Sequence, residues 1–250
     1  MRALSFLGIA ARPHYAAVAT LVARAIGEPA PDIETPGLDN LADAVADPRP
    51  ALAFLCGLPF VRLRDSGAPV EALAAPVIDE PGTPEGAVYF SDLVVRPGAP
   101  RLEECRIGYN NRDSLSGWVL PCSGIANPGA LQWVCTGSHR RSLELLEVGE
   151  IDAAPIDSYI LRVERIETPR FAHFERRQRF GPMPAPPVVA FGGGPDLHRA
   201  MLAALTDLPR TAEGRRALAL GAVLRYAPVT SATYEPVRLL DRSAAVAPTR

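Results

Sequence analysis

The segment YNNRDSLSGWVL, residues 109–120, places two hydroxyl side chains and a glycine where a strand gives way to a helix. Ser114 and Ser116 are residue types that cap helices, and an apolar run follows them. The first N–H groups of a helix have no acceptor within it, and with the helix dipole they attract anions. Gly117 would let a ligand approach the backbone. The segment predicts an anion-binding turn, although simple capping is the commoner use of such a serine.

A second segment, CTGSHRRS at residues 135–142, repeats the order of strand, glycine, serine and helix. Ser138 is the expected capping residue, and His139 follows it in the first turn. A single histidine is more often a surface or packing residue than a ligand. In an open α/β sheet, however, the carboxyl ends of the strands face one crevice in which ligands bind. We therefore expect His139 to face the same crevice as Ser114 and Ser116.

Three other stretches end strands on this predicted face. IDAAPIDSY presents Asp157, AVYFSD presents Tyr89 and Ser91, and FLCGLPF presents Cys56. Each residue also has a purely structural use. Asp157 could equally cap the helix that follows it, Tyr89 could pack at a crossing point, and Cys56 could be a small buried residue.

Strands and helices alternate along the chain, which predicts an α/β fold dominated by parallel strands. The expected strands are at 3–11, 32–35, 51–57, 68–78, 87–96, 105–110, 131–137, 151–157 and within 181–195. The expected helices are at about 14–26, 38–46, 58–64, 116–126 (bent or interrupted by Pro121), 138–150, 158–166, 196–207, 211–222 and 234–240. Leu143, Leu146 and Val148 are the candidate core positions of the helix at 138–150.

Composition shifts at the strand 87–96 and at the proline-rich run 181–187. A chain that crosses to a second lobe at the first point and returns at the second has two lobes joined by a hinge. We expect one lobe to contain 1–92 and 185–250 and the other to contain 93–184, with a ligand cleft between them.

The bulk composition narrows the partners of the chain. The 250 residues carry a net charge of −2, and all 26 basic residues are arginine. A near-neutral chain with no long basic run argues against nucleic acid. No apolar stretch approaches the roughly 20 residues that a membrane helix needs. We expect a small-molecule partner, no membrane insertion, no metal and no cofactor.

The order of the motifs resembles a known family. ALAFLCGLPF, GAVYFSDLVVR, RIGYNNRDSLSGW and TGSHRRSLELLEVGEIDAAPIDSY, followed by a proline-rich return strand, resemble the phosphate, phosphite and phosphonate substrate-binding proteins of ABC transporters. The resemblance covers roughly 50–240 and implies the two-lobed type 2 periplasmic-binding-protein fold with a hinge and an interlobe ligand cleft.

The resemblance also implies roles for individual residues. Ser114, Leu115 and Ser116 match the helix start that holds the phosphonate oxygens, and His139 matches a histidine on the same group. Tyr89 matches a cleft tyrosine, and Asp157 an acidic residue near the amino end of the ligand. Ser138 and Cys56 complete the predicted ligand-binding set. Two positions depart from the family pattern, because Leu115 stands where a hydroxyl residue is common, and Leu55 or Cys56 where a tyrosine is expected.

We therefore expect a binding protein for a small oxyanion, either the solute-binding component of an ABC-type uptake system, with a permease as partner, or a cytosolic relative. The chain carries no G-x-S-x-G elbow and no P-loop, which argues against an enzyme. The alternatives are a cytosolic enzyme on the same fold, using His139, Asp157, Cys56 or Cys135, and a ligand sensor. The apolar start of the chain is interrupted early by Arg12, Pro13 and His14. This predicts a cytoplasmic protein, or a periplasmic one if the N-terminus has been trimmed.

The four cysteines provide a first test. Cys56, Cys105, Cys122 and Cys135 form no C-x-x-C pair, and in a chain of this size such residues are usually free. Titration of the denatured protein, alkylated during purification without reductant, should find four thiols. Two intact disulfides would show that the protein matures in an oxidising compartment.

Overall fold

The computed structural model describes residues 1–80 and 83–246, with side chains described through 242. The chain divides into two units. Unit 1 contains Met1–Val88 and Pro184–Pro236, and unit 2 contains Tyr89–Met183 and the chain from Val237 onward. The expected lobe bounds stay a prediction, and the parts of them at 81–82 and 247–250 lie outside the described residues.

The described residues form eleven strands and nine α-helices. The strands are β1 (Arg2–Ser5), β2 (Ile33–Glu34), β3 (Ala51–Phe54), β4 (Val70–Ile78), β5 (Val88–Val95), β6 (Arg106–Tyr109), β7 (Gln132–Cys135), β8 (Ala153–Asp157), β9 (Glu175–Pro184), β10 (Val188–Phe191) and β11 (Val223–Pro228). The helices are α1 (Arg12–Ala25), α2 (Leu41–Ala46), α3 (Gly57–Asp65), α4 (Leu120–Gly124), α5 (His139–Glu147), α6 (Ser158–Glu167), α7 (Pro195–Asp207), α8 (Ala212–Ala219) and α9 (Glu235–Val246).

The sheet of unit 1 has the order β11-β4-β10-β3-β1-β2. β1 runs parallel to β2 and β3, whereas β10 runs antiparallel to β3 and β4. Every residue of β3 and β10 is buried, as expected for continuous apolar runs in the middle of a covered sheet. Helix α1 packs against α7 and α8 of the same unit.

The sheet of unit 2 has the order β7-β6-β8-β5-β9. β6 runs parallel to both β7 and β8, so the carboxyl ends of these three strands lie at one edge. α5 packs on β8, and its Leu143 and Leu146 join a buried cluster with Ile156 and Phe171. The core prediction for Val148 is wrong: α5 ends at Glu147, and Val148 is 68% exposed.

Several predicted elements need correction. The strand expected at 3–11 ends at Ser5, and a short 3-10 turn, Ile9–Ala11, follows it. β9 and β11 were not predicted, because both carry exposed polar residues that interrupt an alternating pattern. The expectation of mainly parallel strands is also wrong, since β5, β10 and β11 pair antiparallel with their neighbours.

Two further features bear on the expectations for partners and thiols. None of the helices in 1–80 and 83–246 is both long and apolar enough to cross a lipid bilayer. Cys56, Cys105, Cys122 and Cys135 are all free cysteines.

A buried histidine connects α1 to the rest of unit 1. His14 is fully buried; its Nδ1 lies 2.7 Å from the carbonyl oxygen of Ala217, and its Nε2 lies 2.8 Å from the Tyr226 hydroxyl. A carbonyl can only accept, so Nδ1 donates to it. Burial lowers the pKa of His14 from 6.5 to about 4, so the ring is neutral at pH 7 and its Nε2 accepts from the Tyr226 hydroxyl.

This network predicts acid sensitivity. Above pH 6.5 His14 is neutral in both the folded and the unfolded chain, so its contribution is complete. As the pH falls from 6.5 toward 4, the unfolded chain binds a proton that the folded chain excludes, and stability is lost. The pKa difference corresponds to about 3 kcal/mol. Urea unfolding at pH 7 and pH 4 measures the free energy of unfolding that each protein loses between these two pH values. His14→Gln should lose about this much less than wild type.

The exposed His173 provides the matched control. His173→Gln should retain the loss of stability that wild type shows. Equal losses in wild type and His14→Gln would mean that His14 takes up its proton without opposition from the fold.

Candidate functional site

The predicted anion-binding turn begins at Ser114. Ser114 is extended and buried, and its Oγ accepts the N–H of Gly117 at 3.0 Å. Leu115–Val119 then form a single π-helical turn that continues into α4, with Pro121 in the first turn of α4. π-helical turns are rare and are frequent at functional sites. The N–H groups of Leu115 and Ser116, at the start of this helical segment, have no acceptor within it.

Contrary to the prediction from the sequence, Gly117 does not open the backbone to a ligand. A Cβ at this position would lie 1.9 Å from Oδ1 and 2.7 Å from Cγ of Asn110. The space beside the Gly117 backbone is therefore filled by the Asn110 side chain, so a ligand does not use it. Glycine is required here because the strand end and the helix start approach each other closely.

His139 meets the first segment through its Nε2 atom. Nε2 lies 3.2 Å from Oγ of Ser116 and 3.4 Å from Nδ2 of Asn110. Ser116 is buried, and its carbonyl accepts a 2.6 Å hydrogen bond from the buried hydroxyl of Ser91. The edge formed by the carboxyl ends of β6 and β7 thus brings together two residues that are 23 positions apart in the chain.

The hydrogen bonds around Asn110 determine where the proton of His139 lies. Oδ1 of Asn110 accepts the N–H of Asn111 at 2.9 Å, so its amide nitrogen is the atom that faces His139. That nitrogen can only donate, and Nε2 of His139 must accept. The Pro155 carbonyl also favours a proton on the ring. A neutral imidazole carries one proton, so with Nε2 as acceptor the proton lies on Nδ1, for which the described residues offer no hydrogen bond of good geometry.

Burial keeps this histidine neutral. It lowers the pKa of His139 from 6.5 to about 4, and the Pro155 carbonyl opposes the shift only in part. At neutral pH the ring therefore presents an unprotonated Nε2 to the Ser116 hydroxyl.

The structure also places the other residues of the predicted ligand-binding set. Ser138 caps α5 by accepting the N–H of Arg141 at 3.1 Å. The side chain of Leu115 is fully buried, so only its backbone N–H can serve a ligand. Tyr89 is also buried, at the start of unit 2. Cys56 belongs to unit 1, where it precedes α3. Ligand contact by any of these residues stays a prediction.

Asp157 caps α6, the alternative that the sequence left open. One carboxylate oxygen accepts the N–H groups of Tyr159 at 2.9 Å and Ile160 at 3.2 Å. Burial raises the pKa of Asp157 to about 7, against these two hydrogen bonds and with a smaller contribution from the charge of Asp92. Near neutral pH this carboxyl group is therefore partly protonated.

The arginines near the site are engaged elsewhere. Arg140 donates to Glu164 at 2.6 Å and to Glu144 at 3.1 Å. The guanidinium of Arg112 lies 4.9 Å from the ring centre of Trp118. The site is therefore built from neutral donors and backbone N–H groups.

Sequence reasoning missed Asn110 and the aromatic side chains beside it. Tyr109, Trp118 and Trp133 form a cluster with ring centres 4.6–6.3 Å apart. The signal for Asn110 was its place immediately after a strand, where amide side chains commonly bond to the local backbone. Its contacts with Gly117 and His139 follow from tertiary packing alone.

Comparison with solved structures identifies the class of fold. PhnD1 from Prochlorococcus marinus in complex with methylphosphonate matches with a TM-score of 0.78 at 15% identity, covering 98% of each chain. A binding protein component of an ABC phosphonate transporter from Pseudomonas aeruginosa matches with a TM-score of 0.77 at 12% identity, covering 96% of this chain and 85% of that one. XAC2383 from Xanthomonas citri bound to ATP matches with a TM-score of 0.66 at 16% identity, covering 97% and 96%. The fold is that of the two-lobed α/β periplasmic binding proteins.

Comparison of the sequence with protein-family models identifies the family within this fold. The family model for periplasmic substrate-binding proteins of phosphonate ABC transporters matches residues 11–234. The chain belongs to this family, which confirms the resemblance read from its motifs. A search of curated proteins found no match.

The Asn110–Gly117 contact predicts the effect of adding a methyl group. Gly117→Ala should destabilise the protein by about 1–3 kcal/mol, because the new Cβ overlaps the Asn110 side chain. Gly129→Ala is the matched control, since a Cβ there meets nothing within 4 Å and the change should stay within about 0.5 kcal/mol. Urea unfolding provides both values.

A double-mutant cycle isolates the overlap. In an Asn110→Ala background, Gly117→Ala should cost much less than it does alone, because the overlapping amide is gone. Equal costs in the two backgrounds would place the strain elsewhere.

Proposed function

We propose that this chain binds a small oxyanion of the phosphonate or phosphate class at the Ser114–Ser116 helix start and His139. The observation that carries the proposal is the 3.2 Å contact between Ser116 Oγ and His139 Nε2, in a chain of the phosphonate-binding family. Two segments separated along the sequence thereby offer polar atoms to one point. The related PhnD1 was solved with methylphosphonate, which makes this anion the first candidate to test.

The available donors are sufficient for useful affinity. Micromolar binding corresponds to about −8 kcal/mol. Hydrogen bonds to a charged group contribute roughly 1.5–3 kcal/mol each before ordering costs. The hydroxyl of Ser116 and the N–H groups of Leu115 and Ser116 supply three such donors at a helix start, where the dipole also favours an anion.

The residues around Ser116 and His139 favour ligand binding over catalysis by a serine–histidine pair. A hydrolytic serine–histidine pair needs a group that stabilises the charged imidazolium, and in serine hydrolases this is a carboxylate on Nδ1. Here no carboxylate among the described residues is hydrogen-bonded to Nδ1 of His139. The Asp157 carboxylate caps α6. The Cys135 thiol donates to the carbonyl oxygen of Asn110 at 3.7 Å. We therefore propose a binding protein, whose partner is the permease of an ABC-type uptake system.

We propose further that the two-lobe division expected from the sequence is the functional one. On this proposal Ser114, Ser116 and His139 hold the anionic group, and residues that include Cys56 select the remainder of the ligand. A cytosolic relative that uses the same site for sensing would bind the same anion, so binding alone does not separate the two roles. Genes for a permease and an ATPase beside this one would favour transport.

The anion should stabilise the native protein. At about a hundred times its dissociation constant, a ligand adds roughly 2.7 kcal/mol, which for a chain of this size raises Tm by about 5–10 °C. Methylphosphonate, phosphite and phosphate should produce this shift, with acetate as the control anion. Ser116→Ala removes one donor but leaves the backbone N–H groups, so it should reduce the shift without abolishing it.

Two more variants sharpen this measurement. Ser123 lies exposed on α4, where its hydroxyl donates to the carbonyl of Val119, so Ser123→Ala should retain the full shift. Ser116→Asp places a negative charge at the proposed anion position and should abolish the shift. If it does not fold, calorimetry on Ser116→Ala still decides the point, because unchanged affinity in that variant would exclude Ser116 from the site.

A further inference from the structure

Nε2 of His139 presents a lone pair to the proposed anion position. Asn110 sets this arrangement, because its Oδ1 is held by the N–H of Asn111 at 2.9 Å and its amide nitrogen therefore faces the ring. A ring nitrogen that already accepts from an amide cannot also donate to an anion. The histidine of this site is thus an acceptor, although histidines that hold anions usually act as donors.

The lone pair is used only weakly within the protein. Its two partners lie at 3.2 Å and 3.4 Å, at and beyond the upper limit of about 3.2 Å for ordinary N–H···O hydrogen bonds. A hydroxyl on a ligand could form a better bond with Nε2. The Ser116 hydroxyl would then be released to donate to a ligand oxygen.

We propose that this site selects tetrahedral oxyanions that still carry an acidic hydroxyl, such as hydrogen phosphonates and hydrogen phosphate, over anions that carry none, such as sulfonates and sulfate. The hydroxyl of the ligand donates to Nε2 of His139, and its other oxygens accept from Ser116 and the helix N–H groups. An oxygen with no proton would instead bring its lone pair against that of Nε2. This selectivity rests on the proposed function and states which anions the same site accepts.

The charged groups on the elements around His139 do not alter this arrangement. Its pKa responds to burial and to the Pro155 carbonyl. On α5, Arg140 is paired with Glu144 and Glu164. The remaining titratable groups at this end of the surrounding elements are Tyr109, Arg112, Asp113, Cys122, Cys135, Arg141 and Asp157.

Two isosteric probes test the proposal on the whole protein. Methylphosphonate and methanesulfonate have the same shape and, at pH 6, the same single charge, but only methylphosphonate carries a hydroxyl. At this pH His139, with a pKa of about 4, is neutral. Calorimetry should show methylphosphonate binding at least about 100-fold more tightly, because every oxygen of methanesulfonate lacks a proton and would bring a lone pair against that of Nε2. Methylphosphonate should also bind more weakly above its second pKa, where the hydroxyl proton is lost.

The outcomes separate this inference from the function on which it rests. Equal affinity for the two probes at pH 6 would overturn the selectivity and leave the oxyanion site in place. Binding of neither probe would overturn both.

Nitrogen-15 NMR of the ligand-free protein tests the tautomer directly. We expect the proton of His139 on Nδ1 and none on Nε2 at pH 7. His139→Gln supplies the assignment, since it removes the resonance in question. A proton on Nε2 would overturn the proposal without any ligand being added.

Discussion

The contact between the Asn110 side chain and Gly117 is the constraint on which the candidate site depends. The amide occupies the space that a Cβ at position 117 would need, so β6 and the following helix start can approach closely. The same amide is held by the backbone of Asn111 and reaches Nε2 of His139. One side chain thus determines both the position of Ser116 and the protonation of His139.

Three buried carboxylates of unit 2 are held in ion pairs. Asp92 is held by Arg179 at 2.6 Å, and Asp152 is held by Arg106 at 2.8 Å. The buried Glu164 is matched by Arg140 at 2.6 Å. The side chains of Asn110, Ser116 and His139, which meet at the carboxyl ends of β6 and β7, are neutral. A site of this kind discriminates ligands by the direction of its hydrogen bonds as well as by their charge.

The order of the motifs predicted the helix caps and turns, because these depend on residues that are close together in the chain. Ser114 and Ser138 are caps in the structure as their sequence contexts indicate, and α5 begins at the expected point. Two strands were missed: β9 is largely polar and exposed, and in β11 the exposed Leu224 and Arg225 are adjacent and break the alternation. β11 is held in the sheet by its pairing with β4. The error at Val148 has a similar cause: the helical spacing of apolar residues continues past Glu147, where α5 ends, so the sequence pattern did not show the end of the helix.

By itself, the sequence determined the alternation of strands and helices, the two serine-capped turns and the membership of the phosphonate-binding family. These depend on residues close in the chain or on the order of motifs. Only the tertiary structure decided that Gly117 makes room for Asn110, that Asp157 caps α6, and that the Asn110 amide faces Nε2 of His139. Each of these depends on which atom of a side chain faces which neighbour, and sequence spacing contains no information about that direction.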